Sequence, residues 1–229
     1  LKRRYGIEVV YTRTKDKFES LKRRAQIANR SGADLFVSVH ANANRRTNIH
    51  GIETYYLNTT SNRYAKRLAH RENSVGGHVG EDDPHSWTEE DAAAELPESK
   101  MGQDLKLILA DLAMRSATVE SKRLAGYVQS ALVARLRKKY DNVADLGVKH
   151  ALFYVLLGAR MPSVLVETGF VTHGPEAKRL ANGSYQTQVA ESIAHGVARF
   201  AREREAFVRR LAAGDEGAAS VGGLAKASP

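Results

Sequence analysis

The sequence predicts an α/β layer structure, a mostly parallel or mixed twisted sheet flanked by helices. Three observations predict it. Short, nearly continuous apolar runs such as Leu35-Phe36-Val37-Ser38-Val39 and Ser163-Val164-Leu165-Val166 have the length and character of strands buried on both faces. Longer segments with apolar residues at helical spacing separate them. No internal repeat at a solenoid or propeller period interrupts this alternation. The 229 residues suffice to bury a substantial core and suit one domain carrying an insertion.

The elements follow in order along the chain. Ile7 to Tyr11 reads as a short strand, and Phe18 to Arg30 as a helix with Leu21, Ala25 and Ala28 on one face. Leu35 to Val39 is the next strand. A right-handed crossover would set these two strands parallel, with their carboxyl ends on one edge of the sheet. Ile52 to Leu57 makes a further strand after Gly51, and Asn62 to Arg71 a helix with Ala65, Leu68 and Ala69 inward. From Glu72 to Lys100 the chain gathers Gly, acidic residues, two prolines and its single Trp, a composition suited to an exposed excursion. A short helix from Asp104 to Met114 carries a narrow apolar stripe of Leu105, Ile108, Leu109 and Leu112. A longer one from Thr118 to Tyr140 places Leu124, Val128, Leu132 and Leu136 on one face. Ala151 to Leu157 and Ser163 to Val166 are strand-like, and Pro175 to Asn182 and Ser184 to Arg204 are closing helices. The domain expected is 1–213, with an insert at about 73–117 and a disordered tail at 214–229.

Composition narrows the chemistry. The chain has no cysteine, which excludes disulfides and thiolate metal sites and leaves His, Asp and Glu as possible ligands. No apolar run approaches the ~20 residues needed to span a bilayer. The formal charge of +9 suits an anionic partner such as nucleic acid, acidic lipid or a carboxylate-rich polymer, and equally suits solvated helix faces. No nucleic-acid recognition motif accompanies the charge, so no nucleic acid is expected as partner. The first residue is Leu1, with neither signal peptide nor helix cap around it, so the chain reads as cut from a longer one.

Two residues stand out for chemistry. His40 and Glu167 each directly follow an apolar run and should emerge where a buried strand ends, the edge at which open α/β sheets bind ligands. A carboxylate so close to a core strand is costly unless paired or functional. His150, just ahead of the run beginning at Ala151, is a candidate for substrate contact. His78, in Gly76-Gly77-His78, reads as a surface residue of the insert, and His50, His70, His85, His173 and His195 read as loop or helix-surface residues.

The wording around these residues carries a resemblance. Val10-Tyr11-Thr12-Arg13, Arg24, Ala28-Asn29, Ser38-Val39-His40-Ala41-Asn42-Ala43, Gly51-Ile52-Glu53-Thr54-Tyr55-Tyr56 and Met161 to Phe170 occur in an order that resembles the zinc-dependent N-acetylmuramoyl-L-alanine amidases of the bacterial division type, the amidase_3 family. The resemblance runs from the first residue to about Phe200. It implies that His40 is one zinc ligand and Glu167 the catalytic general base. It also implies two further ligands, a His and a Glu, upstream of residue 1, on a first strand and helix of the family fold that the chain lacks. A lone imidazole holds zinc poorly, so the fragment as given is expected to be inactive. The implied substrate is peptidoglycan, cut at the amide between N-acetylmuramic acid and L-alanine during wall remodelling and daughter-cell separation. The implied compartment is the periplasm or cell envelope. The insert resembles the regulatory segment of division amidases, so Leu105, Ile108, Leu109 and Leu112 are expected either to cover the cleft or meet an activator protein, or to pack ordinarily on the body. The alternative from another class is a zinc-free amidase-like module that only binds peptidoglycan.

Overall fold

A computed structural model describes residues 1–74 and 103–212, with 103–115 and Leu211 described by their backbone alone. The elements are α1 (Lys2–Tyr5), α2 (Leu21–Arg30), β1 (Phe36–Asn42), β2 (Ile52–Leu57), α3 (Arg63–Asn73), α4 (Gln103–Leu136), β3 (Asp145–Ala151), α5 (Tyr154–Leu157), β4 (Ser163–Phe170), α6 (Gly174–Leu180) and α7 (Gly183–Ala212). The four strands form one sheet in the order β1-β4-β2-β3. β1 pairs parallel with β4 and β2 parallel with β3, while β2 and β4 run antiparallel. The sheet is therefore mixed, as the sequence allowed.

Each face of the sheet carries its own core. On one side α4 and α7 pack Leu124, Val128, Leu132, Val189, Ile193 and Phe200 against Ile52, Tyr56, Val164 and Val166. On the other, α2, α3 and α5 bring Ala28, Leu68 and Leu156 onto Phe36, Tyr55 and Leu165. β4 lies between and is buried along its whole length, which explains why its sequence is apolar without alternation. Helices α4 and α7 approach closely at Gly196, where an added Cβ would stand 2.7 Å from the Val128 Cα.

Three expectations from the sequence are corrected here. Ile7 to Tyr11 forms no strand: Val9, Val10 and Tyr11 are exposed, and none of the described strands pairs with them. Strand propensity expresses fit to a pleated, half-buried surface, and these residues have no such surface beside them. The run Ala151 to Leu157 is split. Ala151 ends β3, in which Asp145, Lys149 and His150 interrupt the apolar residues, and Tyr154–Leu157 makes a single helical turn. The two helices read at 104–114 and 118–140 are one helix, α4. No Gly or Pro lies between Met114 and Thr118 to break the helix, and Ser121 Oγ donates to the Ala117 carbonyl at 2.6 Å.

The start of the expected insert lies in ordered structure, since Asn73 is the last residue of α3 and its side chain bonds Leu152 O and Tyr154 N. Residues 75–102, with His78 and His85, and the tail at 214–229 lie outside the described residues. So do the side chains of Leu105, Ile108, Leu109 and Leu112, whose backbone belongs to α4.

Candidate metal centre

Parallel pairing of β1 and β4 sets His40 directly beside Glu167 in register. Both lie inside their strands and not just beyond them, because the pairing continues to Asn42 and Phe170 past a bulge. Side chains alternate along a strand, so Glu167 shares the face of Leu165, and His40 that of Phe36, the face covered by α3. Helix α3 is capped at its start by Asn62, whose Oδ1 accepts from the backbone N–H groups of Tyr64 and Ala65. Its inward residues Ala65, Leu68 and Ala69 anchor it on the sheet. Its last turn then carries Glu72 to His40, with Glu72 Oε2 2.9 Å from His40 Nδ1.

His40, Glu72 and Glu167 thus form the one cluster among the described residues that could hold a metal ion, each offering a ligand atom within 4.8 Å of the others. The sequence reading placed Glu72 at the edge of the excursion and gave it no role. A signal was present: Glu72 lies four residues after Leu68 and three after Ala69, which extends the buried stripe of α3 by one turn and puts a carboxylate on it.

The electrostatics of the two carboxylates differ. Burial by itself would raise the Glu72 carboxyl, but the hydrogen bond to His40 and the positive charges of His40 and Arg71 outweigh it and hold the group below the ordinary range. Glu167 is fully buried, and neither of its oxygens has a hydrogen-bond partner. Burial first, then the nearby Glu72 and Glu53 carboxylates, push it up to about 9 against the opposing pull of Arg71. A buried carboxylate with both oxygens unpaired is a costly feature in isolation. A divalent cation among these three side chains would set a positive charge beside the unpaired carboxylate and offset the mutual repulsion, so the residues present fit such a group. One imidazole with two carboxylates, in a chain without thiols, is a donor set for a divalent cation.

A polar network surrounds the cluster. Arg71 donates to Ala43 O at 2.5 Å, to Asn42 Oδ1 at 2.9 Å and to Glu72 Oε1 at 3.2 Å. Asn42 Nδ2 donates to the buried Glu53 at 2.8 Å, and Lys149 Nζ lies 2.5 Å from the other oxygen of Glu53. Gly51 immediately precedes the strand that carries Glu53, and at φ 122° with Ala144 O 2.6 Å from an ideal Cβ it has no room for a side chain.

The structure does not bring His150 into this group. In β3 Ala151 faces the α3 side and Lys149 reaches Glu53 there, so His150 points to the opposite face, where its ring tilts against Tyr56 at 5.5 Å. Arg13 and Arg24 brace the connection before α2, donating to the carbonyls of Lys17 and Glu19. His50 and His173 stack on each other at 4.6 Å.

Fold and site together define a class, an α/β domain with a carboxylate-rich candidate metal site at the carboxyl edge of parallel strands. The family model for N-acetylmuramoyl-L-alanine amidase, Amidase_3, matches residues 1–199, and the chain belongs to that family. It is 30% identical over 200 residues to the N-acetylmuramoyl-L-alanine amidase AmiA of Escherichia coli, covering 85% of this chain and 61% of AmiA. It is 31% identical over 197 residues to the amidase LytC of Bacillus subtilis, covering 86% of this chain and 27% of LytC. Among solved structures it is similar to the N-acetylmuramoyl-L-alanine amidase of Clostridium difficile 630, with 29% identity and a TM-score of 0.56 over 85% of this chain and 72% of that one. The chain thus spans less than two thirds of the length of these two curated relatives.

Proposed function

We propose that the chain is the catalytic domain of a zinc-dependent peptidoglycan hydrolase that cleaves the amide between N-acetylmuramic acid and the L-alanine of the stem peptide. The observation that carries this reading is the convergence of His40, Glu72 and Glu167, with both Glu167 oxygens buried and unpaired. Family membership supports the choice of bond and substrate. The same observation weighs against a zinc-free binding module, in which an unpaired buried carboxylate would serve nothing.

His40 and Glu72 are the groups proposed to hold the metal, and Glu167 the group proposed to move the proton. Bound zinc would supply Lewis acidity toward the scissile carbonyl and would acidify water to near neutrality. Glu167 takes the proton of the attacking water, and the water oxygen adds to the amide carbonyl carbon. The same carboxyl then returns the proton to the departing amine nitrogen, so that one residue acts as base and then as acid. Arg71 keeps Glu72 turned toward His40.

Glu72 adds a carboxylate beside His40, so the site no longer rests on the lone imidazole from which inactivity was expected. Incubation of the full chain with purified sacculi is expected to release stem peptides with free L-alanyl amino termini. A chelator should stop the release, and zinc should restore it. Hydrolysis indifferent to chelation would overturn the metal reading.

The activity fits a role in wall remodelling and daughter-cell separation in the periplasm or cell envelope, and no helix among the described residues is long and apolar enough to cross a membrane. The stripe Leu105, Ile108, Leu109 and Leu112 is proposed as a regulatory surface, covering the cleft or meeting an activator protein. Deleting residues 81–114 is then expected to raise basal hydrolysis of sacculi several-fold. Unchanged basal hydrolysis in a folded deletion variant would count against regulation by this segment.

A further inference from the structure

Glu53 is a fully buried carboxylate that neither holds the metal nor moves the proton in the reading above. It stands beside Glu167 in the antiparallel register of β2 and β4. Its Oε1 accepts from Asn42 Nδ2 and from the Tyr64 hydroxyl, both at 2.8 Å, and its Oε2 lies 2.5 Å from Lys149 Nζ. Lys149 is in turn seated 4.9 Å from the centre of the Tyr64 ring. A buried ion pair is a weak device for stability, because the desolvation of both charges offsets most of their attraction. Its use is to be sought in what it orients.

We propose that Glu53 is a positioning residue of the metal centre: its carboxylate fixes the Asn42 carboxamide, which aims Arg71 at Glu72 and so holds Glu72 against His40. The inference rests on the metal-centre reading above. A carboxylate can only accept, so the amide nitrogen of Asn42 must face Glu53 and the amide oxygen must face away from it. That oxygen is then the acceptor for Arg71 Nη2 at 2.9 Å and for the Ala43 backbone N–H at 2.7 Å. Arg71, held there and at Ala43 O, turns its remaining donors on Glu72 Oε1. Glu72 Oε2 is left to face His40. Were the Asn42 amide reversed, its NH2 would meet the Arg71 guanidinium, two donors facing each other, and the relay would break at its second link.

The test separates orientation from mere burial. Glu53→Met/Lys149→Met removes the ion pair as a unit and leaves Asn42 without its carboxylate acceptor. Glu53→Gln/Lys149→Met removes the same pair but keeps one acceptor oxygen in place. Zinc affinity of the full chain is read by competition with a chelator. The order of the Asn42 carboxamide and the Arg71 guanidinium is read from their 15N NMR signals. The Met/Met variant is expected to bind zinc about 10–100-fold more weakly, the usual effect of losing a residue that orients a ligand. The Gln/Met variant is expected to stay within about threefold of the parent, with the Asn42 and Arg71 signals disordered in the Met/Met variant alone. Equal zinc affinities for the two variants, whether both high or both low, overturn the proposal. Asn42→Ala cuts the relay one link further on with the Glu53–Lys149 pair intact, and it serves if the Met/Met variant does not fold. It should weaken zinc binding comparably, and unchanged affinity overturns the proposal. If the parent chain takes up no zinc, the metal-centre reading fails. The NMR arm still decides the relay, which falls if Asn42 and Arg71 stay ordered in the Met/Met variant.

Discussion

Glu167→Gln is expected to lower hydrolysis of purified sacculi by about 10³-fold, within the range that a positioned acid–base group contributes, while zinc content stays near one per chain. The distinction between Glu167 and Glu72 makes this a sharp expectation. Glu72 has one oxygen held by Arg71 and the other facing His40, an orientation that suits a ligand fixed in place and not a mobile proton carrier. Glu167 has both oxygens free, in a site from which its surroundings exclude solvent. A proton shuttle needs an uncommitted lone pair aimed at the water it deprotonates. Gln has the same shape and no basic oxygen, so it removes the proton chemistry with little change in volume. If Glu167 acted chiefly as a ligand, the variant would lose zinc and activity together. Hydrolysis retained at more than a tenth of the parent rate would sink the assigned role.

The sheet was legible where burial made the strands apolar. β4 reads as a strand because both its faces are covered, and Glu167 is conspicuous in it for the same reason, as a carboxylate in an otherwise apolar element. β2 was read for a similar reason, and β1 from its apolar run, although Val39 in it is exposed. The edge strand β3 was missed, because an edge half open to solvent admits Asp145, Lys149 and His150 and so resembles a loop. The site was legible by halves. His40 and Glu167 lie on strands whose register sets them side by side, so two local readings fall on neighbouring positions. Glu72 comes from a helix, and its part depends on where α3 ends and how that end sits over β1. Helix ends are the least readable feature of a sequence. Asn42 and Glu53 stood in the motifs and Arg71 closed the helix read from Asn62, but what binds them to the site is a pattern of donors and acceptors, which only the packed side chains display. His150 was read as lying just ahead of a strand, and it lies within β3 on the face of Tyr56, away from His40 and Glu167.

In the metal-free protein, Glu167→Gln is expected to be stabilising at pH 8 and neutral or slightly destabilising near pH 5. The folded-state carboxyl is raised to about 9, against ~4.3 for an unperturbed Glu. A raised pKa means that the proton favours the folded form. The contribution of Glu167 is therefore fully present below about pH 4.3 and is progressively lost as pH rises toward 9. At pH 8 the parent must either fold around an ionised, unpaired carboxylate or take up a proton against the solution pH, a penalty on the order of 4–5 kcal/mol. Gln escapes that penalty but leaves a buried amide short of partners, which costs about 1–3 kcal/mol. The net gain at pH 8 is then roughly 2 kcal/mol, equivalent to about 4–8 °C in Tm for a domain of this size. Near pH 5 the parent carboxyl is already protonated when folded, and the advantage disappears. Zinc should reverse the order at pH 8, because the ionised carboxylate then faces a cation and the amide does not. Denaturant melts of the chelator-treated and zinc-loaded proteins between pH 5 and 8.5 measure all four cases. Parallel stability–pH curves for parent and variant without metal would show that Glu167 is not the buried, unpaired group that its geometry describes.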